Sequence, residues 1–159
     1  MYKVLRKQFD DGSKVVYRAG AIIMYGSEVL WIKEHDSSRG GSRVIGKYGF
    51  PKGAARGEKN TLETARARVL AETGINLNMK YAEQSIFSTS HIAGGYRTRI
   101  FYHLFRYPVD GPRPQVNPSA DIASYRWLPF DETASMLGLV AEPTKQVVLA
   151  LAWCTDLTV

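Results

Sequence analysis

The chain has 159 residues, 45% of them hydrophobic and 23% charged, with a formal net charge of +6 and an isoelectric point near 9.5. This length suits one domain, 1–159, large enough to bury a real core, and the composition is that of an ordinary globular protein. Cys154 is the only cysteine, which excludes an internal disulfide, and no apolar stretch approaches the length of a helical membrane span.

The positive balance favours anionic partners such as nucleotides, polyphosphates or nucleic acid, and on charge alone a merely solvated basic surface explains it as well. The N-terminal "MYKVLRKQFDDG" lacks the apolar core of a signal peptide. A single cysteine within the apolar run "VVLALAWC" reads as a buried, inert thiol in a reducing, cytoplasmic setting.

In chain order, "FDDGSK" (9–14) is a turn signal closing a hairpin between "YKVLRKQF" and "KVVYRAGAIIMY". "AGAIIMY" and "EVLWIKE", separated by "GS", read as a second strand pair. The polar, glycine-rich "HDSSRGGSRVIGK" is expected to be a mobile surface loop, and "YGFPKG" a short strand ending in a turn. "NTLETARARVLAETG" has the marks of a helix. Asn60 or Thr61 caps it, Glu63 suits the dipole of its first turn, and Gly74 supplies the left-handed stop. Leu62, Ala65 and Val69 form its apolar stripe, which Glu72 interrupts one turn later. "AEQSIFSTSHIAG" and "YRTRIFYHLFRYPV" follow, the second with clear strand alternation. The Pro/Gly-rich 108–121 is a loop long enough to matter for substrate access. "ASYRWLPFDE" is a strand leading into a helix capped by Asp131, and "EPTKQVVLALAWC" a closing amphipathic helix. This order predicts an α/β (α+β) fold, a sandwich with a mixed sheet.

The stretch from Gly53 to Ile75 resembles the Nudix signature, G-x5-E-x7-R-E-U-x-E-E-x-G-U with U a bulky apolar residue. Gly53, Val69, Glu72, Gly74 and Ile75 fall on that pattern without a gap. "GFPKG" resembles the lead-in of members acting on dinucleoside polyphosphates and on capped or triphosphorylated RNA ends. "YRWLPFDETASML" is similar to the family's C-terminal strand and helix. The resemblance runs from about Val16 to Ala152 and implies a Nudix-type α/β/α sandwich. It also implies pyrophosphate hydrolysis with magnesium or manganese held by a cluster of glutamates on the helix, where i, i+3, i+4 spacing puts carboxylates on one face. Three of those four acidic positions have changed: Lys59, Arg68 and Ala71 occupy them, and Glu72 alone remains. Ala67 replaces the arginine that orients the acids.

Two expectations compete. In one, Glu72 and Glu58 rebuild a catalytic metal site for Mg or Mn, with Glu63 or Asp121 as a further acid. In the other, no metal is used and hydrolysis is weak or lost. Lys52, Arg56, Lys59, Arg66 and Arg68 then bind phosphates directly beside Gly53, and Arg68 and Glu72 are spaced to pair. Tyr48, Phe50, Tyr96 and Trp31 are candidates for stacking a base, with core packing favoured for Phe50 and Trp31. Arg97, Arg99 and His103 share one strand face, either a basic track for a phosphodiester backbone or an ordinary exposed sheet face. Three functions are therefore carried forward: binding of a nucleoside diphosphate-linked ligand or RNA phosphates, an active pyrophosphohydrolase, and a protein-interaction module with a vestigial pocket. A homodimer is compatible with each.

Overall fold

The structure, a computed structural model, describes residues 6–8, 14–35, 47–93, 96–132 and 142–152. Most of the expected turn at 9–14, most of the glycine-rich loop, the body of the helix expected after Asp131, and Cys154 lie outside the described residues.

The eight-stranded mixed sheet is organised around β2 (Lys14–Tyr25). One edge of β2 pairs in parallel with β7 (Tyr96–Tyr107) along its whole length, from Lys14↔Tyr96 to Tyr25↔Tyr107. Three antiparallel segments share the other edge: β1 (Arg6–Gln8), β5 (Lys52–Ala54) and β3 (Glu28–Glu34). Beyond β3 lie β4 (Tyr48–Gly49) and β8 (Ile122–Pro129), and beyond β7 lies β6 (Ala82–Ala93). A strand covered on both faces needs apolar residues on both, which is why "AGAIIM" of β2 and "VLWI" of β3 are unbroken apolar runs.

The two faces of β2 feed two cores. Ile22 and Met24 pack with Val29, Trp31, Phe50, Tyr102 and Leu104 beneath helix α2 (Glu142–Ala152), through its Val147, Val148 and Leu151. Ala21 and Ile23 pack with Leu30, Phe105, Ile75 and Leu77 beneath helix α1 (Thr61–Thr73), through its Val69. The result is the helix–sheet–helix layering expected from the element order.

Helix α1 begins and ends where its capping residues dictate. Asn60 Oδ1 accepts from the Glu63 N–H at 2.9 Å, and Glu63 Oε2 accepts from the Lys59 N–H at 3.0 Å. This reciprocal arrangement satisfies orphan donors at the first turn. Gly74, at φ 74°, returns its N–H to the Leu70 carbonyl. The inward face is built of small residues, Thr64, Ala65, Val69 and Thr73, and lets the helix sit close to the sheet.

"YGFPKG" differs from the single strand expected of it. It makes two short strands, β4 on β3 and β5 on β2, with Phe50–Pro51 between them. Pro51 lacks an N–H, and its carbonyl accepts from the Ala21 N–H at 3.1 Å, pinning the crossing to β2. Gly20 makes room for it: a Cβ there would overlap the Pro51 carbonyl oxygen and stand 2.6 Å from Lys52 Cβ. Gly20→Ala is expected to destabilise the protein by about 1–3 kcal/mol, since backbone atoms must move. Urea denaturation that leaves the midpoint unchanged would remove the close approach as the reason for glycine.

Candidate functional site

Helical spacing puts Arg68 and Glu72 on the same side of α1, and that side faces β5. Gly53, opposite Ala19 on β2, receives the stem of Arg68: a Cβ at Gly53 would lie 2.7 Å from Arg68 Cδ and 2.8 Å from its Cγ. The backbone N–H of Lys52 donates to the Glu72 carboxylate. Arg68 Nε and Glu72 Oε2 are both sealed from solvent without a hydrogen-bond partner. The i, i+4 ion pair expected between these two residues is therefore not formed. Gly53, with no Cβ, leaves room for the arginine stem against β5.

Burial pushes the Glu72 carboxyl up to about 8. The positive charge of Lys52 and its N–H oppose the shift, while the carboxylates of Glu34 and Asp121 add to it. Glu72 is thus largely neutral near pH 7, beside the Lys52 ammonium.

Glu34 and Asp121 arrive from a different part of the fold. Antiparallel pairing of β3 with β8 sets Glu34 opposite Ile122, with an irregularity between Lys33 and Glu34. The His35 N–H donates to the Asp121 carbonyl at 2.9 Å. The 108–121 loop is laced to the end of α1 by N–H donation from Asn117 to Thr73 O and from Ser119 to Glu72 O. Glu34 also lines a shallow, open cleft with Lys47, Tyr48, Gly49, Lys52 and Thr144. Sequence reasoning missed Glu34, because a terminal glutamate of a strand carries no local signal of what pairing brings beside it.

The remaining candidates separate. Tyr48 is half-buried at the cleft, its hydroxyl 3.4 Å from Ser124 Oγ and its ring under Lys33 Nζ at 5.8 Å. Phe50 is 1% exposed, with its ring 4.8 Å from Trp31 and 5.4 Å from Tyr102, so stacking against core aromatics occupies it. Arg56, Lys59 and Arg66 are exposed on the loop and on the outward side of α1, apart from Arg68 over Gly53. Glu58 turns into its own loop, accepting from the Arg56 N–H at 3.0 Å, and Glu63 is taken up by the helix cap. His103 does not join an exposed basic face with Arg97 and Arg99. It is buried beneath α1, with Nε2 2.9 Å from Thr61 Oγ1, and burial lowers its pKa.

Hard divalent cations need several oxygen ligands in one place. Among the described residues, no group of three or more His, Cys, Asp or Glu side chains is placed to hold a metal ion. Glu72, with an N–H on it and a lysine beside it, does not amount to the donor set a resident Mg or Mn requires.

Because the folded-state pKa of Glu72 is raised, its contribution is fully present below pH 4.5 and is lost as pH climbs through about 8. Glu72→Gln copies the neutral acid. It is expected to match the parent near pH 4.5 and to gain on it by at most about 1.4 kcal/mol per pH unit up to pH 8. Thermal melts across that range check this; a variant equally offset at every pH would contradict a buried neutral acid.

The family model of the NUDIX domain matches residues 15–151. None of the curated proteins matches the chain in sequence. Among solved structures the fold is similar to the MutT protein from Methanosarcina mazei Go1, at 16% identity and TM-score 0.74, over 89% of this chain and 96% of that one. It is also similar to a bifunctional NMN adenylyltransferase/ADP ribose pyrophosphatase from Francisella tularensis complexed with AMP and Mn ion, at 15% identity and TM-score 0.70 over 93% of this chain. This chain spans only 42% of the length of that protein. A third is the NUDIX domain of Shewanella oneidensis NrtR complexed with ADP ribose, at 13% identity and TM-score 0.66, over 95% of this chain and 90% of that one. Identities this low speak for the fold alone. The family match spans most of the chain, and the Gly53–Ile75 loop–helix stands in its expected place against the sheet: the chain belongs to the Nudix family.

Proposed function

We propose that the protein binds a nucleoside diphosphate-linked ligand of the ADP-ribose kind through Lys52 and Arg68, with hydrolysis weak or lost. One observation carries this reading: Arg68 sits where its stem covers Gly53, and the acid beside it, Glu72, is held largely neutral. The pocket is then positive without a metal, and cations at a pyrophosphate subsite bind phosphate oxygens directly. The half-buried Tyr48, at the shallow cleft beside Lys52, supports a reading in which the nucleoside lies over that surface. Two structures of the same fold contain AMP and ADP ribose, which supports this ligand class. A single cysteine supports a reducing, cytoplasmic location.

Calorimetric titration of the metal-free protein with ADP-ribose is the test. Binding is expected, and Arg68→Met, which keeps the stem over Gly53 and removes the charge, is expected to weaken it about tenfold or more. Absence of binding would leave the interaction module as the surviving reading. Turnover of ADP-ribose or a dinucleoside polyphosphate with Mg or Mn, abolished by Glu72→Gln, would establish the active hydrolase instead.

A further inference from the structure

Helix α1 covers only part of its side of the sheet. The Thr61–His103 hydrogen bond marks where its N-terminal end meets β7. Toward the starts of β2 and β7 no described helix crosses that face. In-register pairing brings Tyr17 of β2, Arg99 and Phe101 of β7, and Ser88 and Ser90 of β6 together there. Tyr17 and Phe101 are half-buried and stacked, with ring centroids 6.3 Å apart and planes within 19°. The exposed Arg99 lays its guanidinium over the Phe101 ring at 5.4 Å. Arg97 lies one pleat further along the same face.

This face adjoins the basic loop that precedes α1. The Ala55 N–H donates to the Tyr17 carbonyl, so the segment carrying the exposed Arg56 and Lys59 runs alongside the aromatic pair. The two acids of that segment, Glu58 and Glu63, accept from backbone N–H groups of Arg56 and Lys59. The in-register positions of the face, residues 17, 97, 99 and 101 with 86, 88, 90 and 92 of β6, include no acid.

The geometry points to a docking surface for single-stranded nucleic acid, with bases over the Tyr17–Phe101 platform and phosphates against Arg99, Arg97 and the Arg56–Lys59 loop. Flat aromatics stack any base, and guanidinium groups meet the backbone between stacks. Charge selects this occupant over a protein, because a chain of net charge +6 presents Arg97 and Arg99 here with no acid on the face, and the exposed Ile86 and Ile92 of β6 flank the serines as apolar contacts for base edges. The surface lies outside the Lys52–Arg68 pocket, and the inference does not depend on what that pocket holds.

Fluorescence anisotropy with labelled oligouridine and oligothymidine of about 12 nucleotides, matching the length such surfaces span, is the test. Both are expected to bind, because stacking and phosphate contact do not require the 2′-hydroxyl. Binding is expected to fall steeply between about 50 and about 200 mM salt. Arg99→Gln and Tyr17→Leu are each expected to weaken it about threefold to tenfold, while Arg68→Met leaves it unchanged. No binding at low salt overturns the proposal. So does an unchanged affinity in Arg99→Gln, whose exposed position makes misfolding a poor explanation. Equal affinity for a duplex of the same length also overturns it, since a duplex hides the faces that stack. Sedimentation showing self-association that Ile92→Lys abolishes would assign the face to a second copy of the chain instead.

Discussion

Two positions that tolerate no side chain hold the site together. At Gly20 the backbone of Pro51 and Lys52 lies directly on β2, and at Gly53 the stem of Arg68 lies directly on β5. A methyl at Gly20 would collide with the backbone of β5 and its approach, and one at Gly53 would displace the Arg68 side chain. Residue volume, more than any pairwise attraction, sets where the charges of the pocket stand.

The electrostatics follow from that packing. A carboxyl carried into a narrow gap between helix and sheet loses solvent, and the nearby carboxylates of Glu34 and Asp121 further disfavour ionisation. Arg68 has its stem committed to Gly53 and gives Glu72 no ion pair, leaving Oε2 and Nε without partners. A buried polar atom left unpaired costs on the order of 1–3 kcal/mol. Natural folds keep such costs mostly at functional sites, where another molecule completes the hydrogen bonding.

Much of the fold was legible residue by residue. The limits of α1 follow from Asn60 and Gly74, the β2–β3 hairpin from Gly26 and Ser27 between apolar runs, and the β6–β7 pair from alternation in "YRTRIFYHLFRY". Each rests on interactions within a few residues of chain. The division of "YGFPKG" between two strands was not legible, because it depends on Pro51 bonding to Ala21 and on the space at Gly20, both distant in sequence. His103 looked like a surface cation by strand alternation. That pattern assigns a face but not what lies over it, and here α1 lies over it.

By itself, the sequence determined the sandwich class, the Nudix loop–helix and the reversal of charge at its acidic positions, because periodicity, caps and residue identity are local properties. Tertiary structure alone decided how the surviving acid behaves. Helical spacing permits an Arg68–Glu72 pair, but in the fold the arginine stem lies over Gly53 and Glu34 and Asp121 come near Glu72. Whether a carboxyl is charged depends on everything packed around it, and no short stretch of chain contains that information.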